Sequence, residues 1–156
     1  VTPFLIDHSA FDAYMVLVEV NGKRIFYSGD FRTHGRKSVL TKRLMAAPPR
    51  NIDVLLMEGT NLGSDKSCAT EDDLERDFVN PFRTTAGRVF VAWSGQNIDR
   101  TVTLYRACRK ARRTLVIDLY TAEVLEAVGE LPIRGAVVGL SIPDTQGLRQ
   151  YELHQR

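Results

Sequence analysis

The dipeptide Asn21-Gly22 stands between two runs rich in β-branched and aromatic residues, "AYMVLVEV" and "KRIFYSGD". Asparagine followed by glycine accepts the positive φ angles of a two-residue type I′ turn, so the pair fixes a hairpin and, through it, a register. With Val20 facing Lys23, Glu19 faces Arg24, Val18 faces Ile25, Val16 faces Tyr27 and Ala13 faces Asp30. Glu19 and Arg24 become an ion pair on the solvent side. Asp30 arrives at the open end of the hairpin, beside the segment that holds His8 and Asp12. Because the stretch from His8 to Ala13 spans at most ~17 Å when extended, His8 and Asp30 can reach a common site.

Beyond the hairpin the pattern alternates. "VLTKRLMAAP" is a short helical stretch, "IDVLLMEG" a strand, "TEDDLERDFVN" a helix, "RVFVAW" a strand, "NIDRTVTLYRACRKARR" a helix, "TLVID" a strand and "TAEVLEAVG" a helix. Such alternation predicts a mainly parallel sheet with helices packed on it. Thr70 is placed to cap the helix that follows it, with Glu71, Asp72 and Asp73 near the positive end of the dipole and Pro81 closing it. The residues from Leu131 onward carry little pattern.

The 156 residues, 44% of them hydrophobic, can bury a real core, and a formal net charge of +2 is too small to argue for nucleic acid from bulk electrostatics. Cys68 and Cys108 lie outside any CxxC pattern, which gives neither a disulfide framework nor a cysteine zinc site and makes a reducing, cytoplasmic setting the expectation. The apolar runs are strand-sized, far below the ~20 residues of a membrane helix, and no secretory leader opens the sequence, so no membrane partner is expected. The chain begins "VTPFLIDHS" without methionine and ends "GLRQYELHQR", which reads as a fragment of a longer protein.

Several residues are candidates for chemistry. Asp7 and His8 can shape a turn with Ser9 while Asp30 caps a loop after Gly29, and on pattern alone this plain reading carries more weight. The alternative is that the imidazole of His8 and the carboxylate of Asp30 are metal ligands at strand ends, where a carboxylate can bridge two metals. Glu58, at the end of "VLLMEG", either solvates the turn at Gly59 or serves a site. Arg32, His34, Arg36 and Lys37 follow Asp30 directly and are placed to meet phosphate, although His34 reads equally as a surface residue. Arg106, Arg109, Lys110 and Arg113 share one helix face, which is read first as solvated surface and second as a phosphate contact. "SGQNIDR" joins a strand end to a helix start; Asn97 as an ordinary cap is favoured over an anion-binding turn.

The stretch "DHSAFDAYMVLVEVNGKRIFYSGDFRTHGRK" resembles the third and fourth metal motifs of metallo-β-lactamase-fold hydrolases, most closely the ribonuclease-J-like branch with its inserted β-CASP domain. The resemblance implies that His8 is the motif 3 zinc ligand and that Asp30 is the motif 4 aspartate bridging two zinc ions. Glu58 would stand at motif A near the metal centre, orienting a ligand or taking part in proton transfer. Ser9, Arg32, His34 and Arg36 would meet the substrate. The fold implied is α/β. Residues 1–60 would be the later part of a metallo-β-lactamase αββα sandwich, a β-hairpin plus strands. They would run into a parallel-sheet β-CASP-like α/β segment over residues 61–156, where "GRVFVAWSGQNIDRTVTLYRACRKARRTLVIDLYTAEVLEAV" carries the likeness.

The sequence also departs from that family. His8, His34 and His154 are its three histidines, none in the HxHxDH spacing of motif 2, and the histidine-bearing motifs B and C are absent. The expectation is therefore a segment of a zinc-dependent RNA-processing nuclease, acting on RNA or another phosphodiester and inactive in isolation; a homodimer is allowed. Two rivals remain: a non-catalytic nucleic-acid- or partner-binding subunit of the same ancestry, and a freestanding phosphate- or nucleotide-binding α/β module.

Overall fold

A computed structural model describes residues 1–63, 65–129, 137–139 and 150–152. The protein is mixed α/β and divides into two compact units, Val1–Thr70 and Glu71–Arg156.

In the first unit, β1 (Thr2–Leu5), β2 (Tyr14–Val20), β3 (Lys23–Tyr27) and β4 (Val54–Leu56) form one sheet in that spatial order, with α1 (Ser38–Ala46) between β3 and β4 in sequence. Asn21 and Gly22 both adopt positive φ, 49° and 73°, as a type I′ turn demands. The hairpin pairs Val20 with Lys23, Glu19 with Arg24, Val18 with Ile25 and Val16 with Tyr27, and a Glu19 carboxylate oxygen lies 2.8 Å from the Arg24 guanidinium. The ladder ends at Val16 and Tyr27, short of Ala13 and Asp30, because the chain turns away there. The Ser28 amide donates to Leu56 O instead, and Gly29 takes a left-handed φ of 53°. β1 and β2 are antiparallel, whereas β4 joins β3 in parallel.

Because opposed residues share a face, the register sorts the side chains. Phe4, Met15, Leu17, Phe26 and Leu55 fall on one face; all of them but the exposed Leu55 build the core of this unit with Ile6, Leu44 and Ile52. Phe4 meets Phe26 edge to face at 5.8 Å. The rows Pro3–Val16–Tyr27–Leu56 and Val18–Ile25–Val54 fall on the other face, which leaves Tyr27, Leu56 and Val54 exposed.

The second unit holds α2 (Glu71–Thr84), α3 (Ile98–Lys110) and α4 (Leu119–Ala127), with β5 (Val116–Ile117), β6 (Val137–Gly139) and β7 (Gln150–Glu152) in a second sheet. β5 and β6 are parallel, and β6 and β7 antiparallel. Among the described residues each sheet contains one parallel pair, so the expected mainly parallel sheet is corrected to two mixed ones. Phe82, Leu104, Ala107 and Cys108 form one buried cluster; Ile98, Val102, Tyr105, Ile117, Ala122 and Leu125 form another. Two further expectations fail here. "RVFVAW" pairs with no strand among the described residues, and Val91 and Trp93 instead pack as single side chains on the clusters. Pro81 does not close α2, which continues to Thr84. The packing of Phe82, 4% exposed, outweighs the hydrogen bond that proline withholds from Asp77.

Candidate functional site

The segment after β1 and the loop after β3 are laced together by Asp7, whose side chain is fully buried. Its Oδ2 accepts the Gly35 amide at 2.7 Å and its Oδ1 the Lys37 amide at 3.2 Å. The Arg32 Nε stands 3.7 Å from Oδ1. The backbone of Asp7 is held as well: its N–H donates to Thr41 Oγ1 on α1 at 2.9 Å, and its carbonyl accepts the Arg32 N–H at 2.9 Å. Lys37 completes the lacing, donating from Nζ to Ala10 O at 2.7 Å and to Phe11 O, with the ammonium over the Phe11 ring. Gly35 is required by close approach, since a Cβ there would stand 2.3 Å from the Asp7 carboxylate and 2.5 Å from the Arg32 guanidinium.

His8 follows Asp7 directly and is half-buried. Its Nδ1 accepts the Ala10 amide at 3.2 Å. In the neutral ring the proton then sits on Nε2, so either nitrogen becomes a metal ligand only when the Ala10 N–H lets go. Asp30 is exposed, and its carboxylate has no hydrogen-bond or ion-pair partner among the described residues. Ser9 and His34, both half-buried, likewise have none, whereas Arg32 is turned onto Asp7 and Arg36 has partners.

Glu58 lies just past β4, its amide donating to Ser28 Oγ at 3.3 Å. Its carboxylate folds onto its own loop, accepting the Thr60 amide at 2.8 Å. The Thr60 hydroxyl first, and then the Thr60 amide, hold its pKa below the ordinary glutamate value. Thus Glu58 is kept as an anion and does close the turn at Gly59. At the other end of β4, Asp53 joins β3 to the start of that strand: it accepts from Lys23 Nζ at 2.9 Å and from the Arg24 amide at 2.8 Å. Lys23 foremost lowers its pKa.

His8 and Asp30 supply donor types that suit zinc, an imidazole and an unpartnered carboxylate, on segments joined through Asp7. Two ligands fall short of the three or four that a zinc site needs. Among the described residues no three histidine, cysteine, aspartate or glutamate side chains gather as a metal site. The pair therefore fits a metal only as part of a larger donor set. An apolar cavity of about 240 Å³, lined by Met15, Phe26, Thr41, Leu44, Leu55 and Met57 among others, includes none of His8, Asp30 and Glu58 in its wall.

Sequence reasoning passed over Asp7 as a turn former and Glu71 as a first-turn acid. Glu71 is 3% exposed; its two oxygens accept from Arg100 Nε and Nη2 at 3.2 Å each, and Oε2 also accepts from Thr103 Oγ1 at 2.6 Å. On the basic face of α3, Arg106, Arg109 and Lys110 are exposed, as the solvated-surface expectation has it, and two of the three also meet an acid of α2. Lys110 Nζ meets Glu75 at 2.8 Å and Arg106 approaches the same carboxylate at 3.8 Å. Arg113 donates to the carbonyls of Phe82 at 2.9 Å, Thr85 at 2.8 Å and Gly87. A signal for Glu71 was present: an acid at the start of one helix and an arginine–threonine pair, Arg100 and Thr103, at i, i+3 on the next. At the "SGQNIDR" turn, Asn97 Oδ1 accepts the Arg100 amide at 3.0 Å, so the capping expectation holds.

The class that the fold defines is mixed α/β. No family model matches the chain, and no curated protein matches it. Among solved structures it is similar to a protein of unknown function from Enterococcus faecalis V583, with 23% identity and a TM-score of 0.68 over 85% of this chain and 32% of that one. The chain thus spans about a third of that protein's length, and the likeness shows the fold alone.

Proposed function

We propose that this chain is the segment of a zinc-dependent metallo-β-lactamase-fold hydrolase, of the β-CASP, ribonuclease-J-like branch, that contributes His8 and Asp30 to a metal centre acting on phosphodiesters, RNA foremost. The observation that supports this most is the contrast between two aspartates. Asp7 is buried and fully engaged, while Asp30 is held out at the end of the hairpin with no partner among the described residues. An exposed carboxylate left unmatched on a loop tied at several points is poised for a ligand. The finer fold assignment, a half αββα sandwich leading into a β-CASP-like α/β unit, belongs to the same proposal and rests on the motifs.

Bound zinc would supply a water of lowered pKa and charge stabilisation at phosphorus. His8 and Asp30 would hold that centre together with donors from outside this chain. Ser9 and His34, both without partners among the described residues, are free to meet substrate oxygens. Arg32 acts by fixing the loop rather than by reaching out. Glu58, kept anionic by Thr60, is suited to accept a hydrogen bond and unsuited to act as an acid near neutrality.

The test is Asp30→Asn in the complete polypeptide, a change that removes one charge and almost no volume. RNA hydrolysis is expected to fall to background and zinc content to drop, with the hairpin intact by circular dichroism. Full hydrolysis in the variant would overturn the proposal, as would stoichiometric zinc on this chain alone.

A further inference from the structure

We infer that Asp7 is a positioning residue for the proposed site: it fixes the segment carrying His8 and Ser9 against the loop carrying Asp30 and His34. The inference rests on the functional reading above and adds to it a residue that touches neither metal nor substrate. Asp7 is pinned on every polar group it owns. Its N–H is held by Thr41 of α1, its carbonyl by the Arg32 amide, and its carboxylate by the Gly35 and Lys37 amides and the Arg32 guanidinium. The next residue along the backbone is His8, and Asp30 lies two residues before Arg32. Both proposed ligands thus lie within two residues of backbone that Asp7 fixes.

The chemistry of the contacts explains why an aspartate stands there. Two amide donors reach the buried side chain, one on each oxygen, with the Arg32 Nε 3.7 Å away, and two accepting oxygens on so short a stem are what aspartate supplies. Asparagine offers one accepting oxygen and turns an NH2 against donors, so the loop loses at least one bond while the side-chain volume is kept. Gly35 is the matching half of the device: any Cβ at that position would enter the space of the Asp7 carboxylate and the Arg32 side chain. The clamp can thus be opened from either side, by removing the charge or by crowding it.

The experiment compares Asp7→Asn, Gly35→Ala and, as a control on the exposed hairpin pair, Glu19→Gln. Amide exchange is measured on each, and zinc affinity by titration of the complete polypeptide. In both clamp variants the residue 35 and Lys37 amides are expected to exchange about tenfold faster or more, with the Val18 and Ile25 amides unchanged. Zinc affinity is expected to fall by about tenfold or more, as for other groups that orient ligands without touching metal. Glu19→Gln should change neither. If Asp7→Asn unfolds the sheet, Gly35→Ala decides, since it leaves Asp7 in place.

Unchanged exchange at both amides would overturn the clamp. Faster exchange with unchanged zinc affinity would reduce Asp7 to a structural residue and overturn the positioning role. Should the unaltered polypeptide take up no zinc, the functional proposal fails, and the exchange data still tell whether Asp7 holds the loop.

Discussion

At the scale of single residues, the carboxylates near the proposed site divide by what they accept. Asp7 is satisfied by the fold, Glu58 by its own turn, and Asp30 by nothing among the described residues. The Glu58 case has a pH consequence. The Thr60 hydroxyl and amide favour the charged form, so the folded pKa lies below the unfolded one. The stabilisation is present above the unfolded value and is lost as pH falls through the folded value. A carbon-detected NMR titration of Glu58 is expected to show a midpoint below that of free glutamate, and Thr60→Ala should move it back up. An unshifted midpoint in the variant would show that the hydroxyl plays no part. Of these three acids the sequence made two conspicuous, Asp30 and Glu58, because each ends a strand-like run. Asp7 was hidden because its partners lie 28 and 30 positions away and two of them are backbone amides, which leave no mark in a pattern of residue types.

The hairpin is the element most legible beforehand, since a two-residue turn couples local chemistry to register with no freedom left over. What failed was governed by packing between distant elements. "RVFVAW" has the composition of a strand, yet extended backbone becomes a strand only when a neighbour lies alongside, and a run of residue types carries no record of one. Pro81 reads as a helix stop, yet α2 continues because Phe78 and Phe82 stack at 5.4 Å and Phe82 fills the pocket beside Leu104. A proline inside a helix costs roughly 3 kcal/mol relative to alanine. Greater freedom of the unfolded chain offsets part of that. Pro81→Ala is therefore expected to stabilise the second unit by about 2 kcal/mol in urea denaturation. A loss of stability would mean that the proline ring itself is needed in the packing. The basic face of α3 is solvent-exposed as expected, but contacts to distant residues tie it down as well. Charge reversal at Arg106, Lys110 and Arg113 would break contacts to Glu75 and to the Phe82, Thr85 and Gly87 carbonyls, so weakened RNA binding in such a variant would report damage to the helix pair.

At the scale of the whole molecule, two units each carry their own core, and among the described residues no helix is long and apolar enough to cross a membrane. The order of strands in the first unit has a kinetic side. β1, β2 and β3 pair with their neighbours in sequence, so their contacts close only short loops, whereas β4 reaches β3 in parallel after α1 has intervened. Loop-closure entropy is met before a non-local pairing repays it, which makes the parallel step the late one. Pulse-labelled hydrogen exchange during refolding is expected to protect the Val18 and Ile25 amides before those of Ser28 and Asp53, which bond to Leu56 and Arg24. Simultaneous protection would contradict this order. The bend that presents Asp30 thus exists first as the loose end of a finished hairpin, and the loop of Glu58 arrives beside it only when the last strand docks.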